Sequence, residues 1–286
     1  MSLIRSINKY AYIKARGVVI KENIINDKDK SLIILSKDYG KLNVWAKNSR
    51  SAQSKLLAGS TLFTYGDFII NSSNTHSSSN FNNTKNLFIN QVDIIRKFYD
   101  ISKDLYKIAV ASYIIELTER NVQDALEVNS ILFLLINCLN KLNNSKVDDD
   151  NFSILISKIY ELKFLELNGY KPEIFMCSEC GLDNNFNNNG DNNFKKIYFN
   201  VNGYVCNRCK NNIYNNNLIC VNKNIVKALE YIFKSDIQQL FSFGVSDIIL
   251  NDLDALSKML LDYNLQTPPS TLKSRRFLDS MKSQQF

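Results

Sequence analysis

Up to about residue 92 the apolar residues come in short runs broken by turn residues. Beyond residue 100 they recur every three or four positions. The first pattern predicts strands and the second predicts helices. Five runs rich in β-branched and aromatic residues stand out: YIKARGVVIK (12–21), SLIILS (31–36), KLNVWAK (41–47), LFTYGDFII (62–70) and NLFINQV (86–92). Polar connections such as NDKDK and KDYGK separate them, with Gly40 placed where a positive φ suits a tight turn. Five short strands in about ninety residues predict a small antiparallel barrel of the OB-fold type. In KLNVWAK the alternation puts Leu42, Val44 and Ala46 on one face and Trp45 on the other, beside Lys41 and Lys47. The alternation in LFTYGDFII breaks around Gly66, so its faces stay unassigned.

The helical part opens with DISKDLYKIAVASYIIELTER, NSILFLLINCLNKLNN and DNFSILISKIYELKFLELNG. In the third, Phe152, Leu155, Ile156, Ile159, Phe164 and Leu167 form the predicted core stripe, with Gly169 as a stop and Pro172 just beyond. NKNIVKALEYIFKS and SDIILNDLDALSKMLLDYNLQ resume the pattern, and the basic tail STLKSRRFLDSM follows. A cysteine-bearing stretch, 176–210, interrupts the helices. The predicted class is therefore α+β: residues 1–80 as the barrel domain, with its last strand and exit reaching about 95, then a helical domain over 96–286 with an inserted segment at 176–210. The run 71–86, NSSNTHSSSNFNNTKN, is low in complexity and predicts a loop. His76, the sole histidine, lies in it and has no partner nearby in sequence, which removes any Ser-His-Asp or Cys-His scheme.

The chain of 286 residues is 45% hydrophobic and 22% charged, enough for ordinary cores. Its net charge of +7 is unevenly placed: residues 1–79 hold 12 Lys and Arg against 5 Asp and Glu, leaving 23 of each elsewhere. A basic excess confined to one module is the footprint of a polyanion binder, although a solubility bias gives the same sum. No apolar run is long enough to span a membrane, and the first residues lack the features of a secretory signal, so a cytoplasmic protein is expected. Nor does the chain contain a nucleotide-binding P-loop, a metalloprotease motif or a paired-carboxylate motif, and it is not expected to be an enzyme.

Six cysteines without a secretory signal argue against disulfides. Cys138 and Cys220, each in an apolar context, read as buried small hydrophobes. The other four form Cys177-Ser-Glu-Cys180-Gly181 and, after 25 residues, Cys206-Asn-Arg-Cys209. Two residues between cysteines let a tight turn aim both sulfurs at one tetrahedral centre. Two such pairs therefore predict one structural zinc ion with no open coordination position. A redox dithiol is the competing reading, but no βαβ unit is visible to host one. The position between helical stretches, and the balanced charge outside residues 1–79, make the site a staple for the helical part.

Several ordered stretches together resemble one family, the bacterial DNA repair and recombination mediator RecO. They are R-G-x-V from Arg16, Y-G-K-x-x-V-x-A-K from Tyr39, S-K-L-L-A-G-x-x-L-F from Ser54, ASYIIEL, ELNGYKPEIFMCSECG, LFSFGVS and KSRRFLDSM. The resemblance implies an N-terminal OB-fold, a helical domain and a zinc-ribbon-like insertion. It also implies binding of single- and double-stranded DNA and annealing of complementary strands. Further, it implies help in loading RecA onto strands coated by single-strand DNA-binding protein, together with RecR and, in some bacteria, RecF. A basic barrel suits single-stranded DNA, since cations follow phosphates and aromatic rings stack on bases. Arg16, Lys37, Lys41, Lys47, Arg50 and Lys55, with Trp45 as a stacking platform, are the candidate contacts. Lys273, Arg275 and Arg276 form a second candidate group, which pairing within the helical domain could equally explain. A transcription or translation factor built from an OB-fold and a zinc ribbon is the alternative.

Overall fold

The computed structural model describes residues 12–72, 87–122, 128–146, 149–183, 196–213 and 218–282. His76 and most of the Asn-rich runs at 71–86 and 183–194 lie outside them. Five strands open the chain: β1 (Tyr12–Ile24), β2 (Lys30–Ser36), β3 (Gly40–Ala46), β4 (Tyr65–Ser72) and β5 (Leu87–Arg96). They form a barrel in the order β1-β2-β3-β5-β4. All neighbours are antiparallel except β3 and β5, which close the ring through one parallel bridge, Trp45 to Phe88. Alternation fills the interior: Ala15, Val19, Leu32, Ile34, Leu42, Val44, Ala46, Phe68, Ile70, Leu87 and Ile89 make one buried cluster. Leu56, from the segment between β3 and β4, joins that cluster. Gly59 of the same segment lies so close to β5 that an added Cβ would sit 2.6 Å from Val92. The S-K-L-L-A-G stretch is thus a plug for the barrel, with Leu56 turned in and Lys55 turned out.

Gly17 and Gly66 face each other across β1 and β4. A Cβ on Gly17 would lie 2.3 Å from the Leu35 carbonyl oxygen, and one on Gly66 2.7 Å from that of Asp93. The broken alternation at Gly66 therefore marks a close approach of backbones, at a register shift between Tyr65 and Gly66. The strand expected from residue 62 starts at Tyr65 instead. Phe63 has a φ of 66°, which no strand residue adopts, and its N–H donates to the Val19 carbonyl at 3.1 Å.

The helices are α1 (Leu105–Asn121), α2 (Val128–Asn144), α3 (Asp150–Leu167), α4 (Ile225–Lys234), α5 (Asp247–Asn264) and α6 (Lys273–Lys282). The chain falls into two compact units. One contains the barrel and Val122–Leu139, and the other contains Asp100–Asn121 and everything from Asn140 onward. In the second unit α3 is central: Ser153 to Leu165 are all buried, so it has no solvent face. The predicted stripe holds at Leu155, Ile156, Ile159 and Phe164, whereas Phe152 and Leu167 near the helix ends are only half-buried. Asp149 caps the start by accepting from the Phe152 N–H at 3.1 Å. Gly169, at φ 84°, ends the helix as expected, with its N–H on the Glu166 carbonyl and that of Tyr170 on Leu165.

Between α3 and α4 lies a three-stranded sheet, β6 (Lys196–Asn200), β7 (Gly203–Val205) and β8 (Ile219–Asn222), in the order β7-β6-β8. It is tied to α5 where the Asn222 N–H donates to Asp252 Oδ2 at 2.8 Å. The basic tail is helical: α6 packs on α1, with Glu116 accepting from both the N–H and the hydroxyl of Ser274 at its first turn. Among the described residues, no helix is long and apolar enough to cross a membrane.

Candidate nucleic-acid interface and metal centre

The four paired cysteines meet. The Sγ atoms of Cys177, Cys180, Cys206 and Cys209 all lie within 4.8 Å of one another, and those of Cys180 and Cys206 are 3.8 Å apart. Metal–sulfur bonds of about 2.3 Å define a tetrahedron with edges of about 3.8 Å, so the cluster has the size to hold one metal ion. Turn geometry aims the sulfurs. Gly181, at φ 68°, lets its N–H reach the Cys177 carbonyl at 2.8 Å, and the N–H groups of Cys209 and Lys210 reach the Cys206 carbonyl at 3.1 Å. The Cys206 N–H donates to Cys177 Sγ at 3.3 Å, favouring a thiolate there. Burial opposes ionisation of Cys206, but N–H donors of Cys209 and Arg208 and the neighbouring thiols outweigh it, drawing the group down to about 6. Cys209, donating to Cys180 and Cys206, is pushed up to about 12. A cluster of four sulfurs without a cation keeps a proton; a divalent ion would displace it.

Glycine and asparagine supply the scaffold. Gly203, at φ 138°, lies against Glu173 so closely that a Cβ would fall 2.1 Å from its carbonyl oxygen. Asn200 Oδ1 accepts from the N–H groups of Asn202 and Gly203 at 2.9 and 3.0 Å, fixing the β6–β7 turn that leads into Cys206. None of the six cysteines is in a disulfide. Cys138 is fully buried, and burial raises its thiol, as its apolar context implied. Cys220 is instead exposed, because on β8 it pairs with Tyr198 and faces outward while Val221 faces in.

On the barrel, Trp45 stands on the outer face, half-buried, as the alternation of β3 requires. Its bridge partner Phe88 sets a second ring beside it, and Lys47 Nζ lies 4.4 Å from the centre of that ring. Phe88 is a residue that sequence reasoning missed. Its signal was present, since Leu87 and Ile89 turn inward and the residue between them must turn out. Lys41 is on the same outer face of β3. Arg50 and Asn48 meet the β1–β2 loop: Arg50 Nη1 donates to the Asn26 carbonyl at 2.7 Å, and the Asn48 N–H donates to Asp29 Oδ1 at 2.7 Å. Asp29 is held below the usual carboxylate range by Asn48 first, then by the Asn26 amide, with smaller help from Lys47 and Lys28. Lys28 thus adds a cation that the sequence did not single out. Lys37 lies in the β2–β3 turn, at the opposite end of that hairpin from Lys47. Lys55 is exposed on the plug.

Arg16 and Arg275 are paired with carboxylates of their own chain. Arg16 grips Asp67 through Nε at 2.7 Å and Nη2 at 2.9 Å, and Lys14 reaches the same carboxylate at 2.9 Å. Arg275 is only 4% exposed. Its guanidinium reaches Glu161, Asp254 and Asp279 at 3.4, 3.2 and 3.0 Å, so it serves the interior of the helical unit. Its neighbours Lys273 and Arg276 are exposed.

Comparison with known proteins agrees with this architecture. Residues 11–88 match the family model described as Recombination protein O N terminal, and residues 102–275 match Recombination protein O C terminal. The chain is 28% identical to the DNA repair protein RecO of Acetivibrio thermocellus, over 95% of this chain and 99% of that one. It is 27% identical to the protein of that name from Caldanaerobacter subterraneus subsp. tengcongensis, over 93% and 97%. With the one from Bacillus velezensis the identity is 27% over 94% and 95%.

Proposed function

The chain belongs to the RecO family of DNA repair proteins, and from that premise we propose that it is a recombination mediator rather than an enzyme. It binds single- and double-stranded DNA and anneals complementary strands. With RecR, and with RecF where present, it helps load RecA onto strands coated by single-strand DNA-binding protein. It works in the cytoplasm, at the nucleoid. The observation that carries this reading is the bridged pair Trp45 and Phe88, two aromatic residues on the outer side of a barrel seam that also bears Lys41 and Lys47. Rings accept bases of any sequence by stacking, and the lysines neutralise phosphates, which is what a sequence-tolerant binder of single strands needs. Strands 2 and 3 and the β1–β2 loop are also the surfaces with which OB-folds take up oligonucleotides.

The DNA contacts are assigned to the barrel domain, with Lys37, Lys41, Lys47, Arg50 and Lys55 on phosphates and Trp45 on a base; Lys28 and Phe88 join them. Lys273 and Arg276 supply a further phosphate contact from the helical domain, while Arg16 and Arg275 act by shaping their own units. Cys177, Cys180, Cys206 and Cys209 bind one zinc ion, which holds the β6–β8 element together and has no coordination position left for a substrate. The testing experiment is annealing of complementary oligonucleotides precoated with single-strand DNA-binding protein, with and without RecR. Faster annealing than the coated strands achieve alone is expected. No acceleration under either condition, with the barrel folded, would overturn the reading.

A further inference from the structure

The charge balance beyond residue 79 averages unlike stretches. Between Lys196 and Lys234 the chain carries Lys196, Arg208, Lys210, Lys223, Lys227 and Lys234 against one carboxylate, Glu230. This excess lies on the cysteine-bearing element and the helix after it, and part of it is concentrated on one face of the β6–β8 sheet. Tyr198 and Lys196, two residues apart on the middle strand β6, point to the side opposite the buried Ile197 and Phe199. Their β8 partners on that side are Cys220 and Asn222. Lys210, from the second cysteine turn, lays its Nζ 4.4 Å from the centre of the Tyr198 ring and 3.2 Å from its hydroxyl. Arg208 is exposed in the same turn. Carboxylates near this sheet are engaged: Glu179 by the Asn200 side-chain amide at 2.8 Å, Asp252 by the Asn222 N–H at 2.8 Å, and Glu173, whose backbone bridges Gly203, by the N–H groups of Phe175 and Met176 at 2.8 and 3.2 Å.

We infer that this face, Lys196, Tyr198 and Lys210, with Arg208 exposed in the adjoining turn, is a second contact site for single-stranded nucleic acid. An aromatic ring on the middle strand of a small sheet, flanked by cations and, on the β8 side, by Cys220 and Asn222, offers a base a place to stack and its phosphates a countercharge. A lysine held to an exposed ring contributes only about 0.5–1 kcal/mol, so Lys210 transfers readily from Tyr198 to a phosphate and opens the ring. The inference rests on reading the chain as a strand annealer, and it gives that reading a mechanism. Annealing requires two strands to be held at once, and the barrel rings account for one.

The test uses the full metal-loaded chain and a thymidine oligonucleotide carrying 5-iododeoxyuridine, which crosslinks on irradiation to aromatic side chains stacked on it; the joined peptides are then mapped. Crosslinks at Tyr198 as well as at Trp45 or Phe88 are expected. Crosslinks on the barrel alone overturn the inference and leave the barrel reading standing, whereas crosslinks at Tyr198 alone do the reverse. None at either place overturns both. Lys196→Glu with Lys210→Glu should lower the Tyr198 crosslink and the annealing rate by about tenfold, the scale of two lost phosphate contacts, with the barrel crosslink unchanged. Should the Lys210→Glu chain lose its metal, Lys196→Glu alone and Tyr198→Leu serve instead; wild-type annealing in both would overturn the inference.

Discussion

Arg275 and Glu161 meet inside the helical unit, Nη1 to Oε1 at 3.4 Å, although one starts the final helix and the other lies at the middle of α3. The same carboxylate takes Lys158 Nζ at 2.6 Å and the Tyr113 hydroxyl at 2.7 Å, while Asp254 links Lys158 and Arg275 from α5. Three helices thus share one set of charges, and α1 adds the Tyr113 hydroxyl. Arg275 is held charged: burial works against it, but the carboxylates of Glu161, Asp254 and Asp279 outweigh that. Without Arg275 one cation, Lys158, is left to balance both Glu161 and Asp254, so Arg275→Ala should destabilise the helical unit by about 3 kcal/mol. Arg276→Ala, one residue on at the surface, should stay within about 0.5 kcal/mol of wild type. Urea unfolding followed by circular dichroism separates the two.

Trp45 is the sole tryptophan of the chain, so its fluorescence reports one place on the barrel. Adding a thymidine oligonucleotide should quench that emission. Phe88→Ala should weaken binding by about 1–3 kcal/mol through the loss of a stacking ring. Lys47→Ala should lower the slope of log affinity against log salt by about 0.7, one phosphate contact on a single strand. Emission that does not respond to saturating oligonucleotide would remove Trp45 from the interface.

Why Trp45 was legible and Arg275 was not is a matter of period. A strand facing a barrel core repeats every two residues, so Leu42, Val44 and Ala46 fix the face of Trp45 from the sequence alone. The same rule, applied to Leu87 and Ile89, yields Phe88. Its neighbour on β3 could not be read, because the one-residue parallel seam is set by how the barrel closes. For α6 the spacing Leu272, Arg275, Leu278 already places Arg275 in the apolar stripe, since all three are buried. A charge there reads as exposed until its carboxylates, more than a hundred residues away in the case of Glu161, are seen to arrive. The all-round burial of α3 hid in the same way: Lys158, Glu161 and Lys163 gave it a polar side by composition, and their partners on other helices bury that side. The cysteine cluster needed no such help, because C-x-x-C spacing encodes the local turn. Its sheet, its tie to α5 and the exposure of Cys220 depend on strand pairing that the spacing does not carry.

Stripping the metal should act locally. The element is bound to itself by three short strands and one cysteine cluster, so zinc removal by chelator, or Cys206→Ser, should unfold β6–β8 and lower the melting temperature of the helical unit. The barrel cluster contains no residue from that element, so Trp45 emission should stay native at temperatures where the helical signal has gone. The full chain should contain one equivalent of zinc by elemental analysis, and Cys206→Ser should lose it. Cys220→Ser, an exposed thiol outside the cluster, should retain both zinc and stability.

Asp67 gives the barrel an acid-sensitive limb. Hydrogen bonds from Arg16 hold its carboxyl well below the usual carboxylate range; burial opposes them, and Lys14 adds to Arg16. A carboxylate with a depressed folded value stabilises the native state in full above its unfolded value of about 3.9. That stabilisation is lost as the pH falls from there towards the depressed value, because the unfolded chain takes up the proton first. Between pH 5 and 8 Asp67 should therefore contribute no pH dependence, and below about pH 4 the barrel should weaken. Asp67→Asn removes the charge that both cations share. It should lower barrel stability at neutral pH and flatten the acid limb. Trp45 emission during acid titration reads the limb directly, and an unchanged limb in Asp67→Asn would assign the acid sensitivity to other carboxylates.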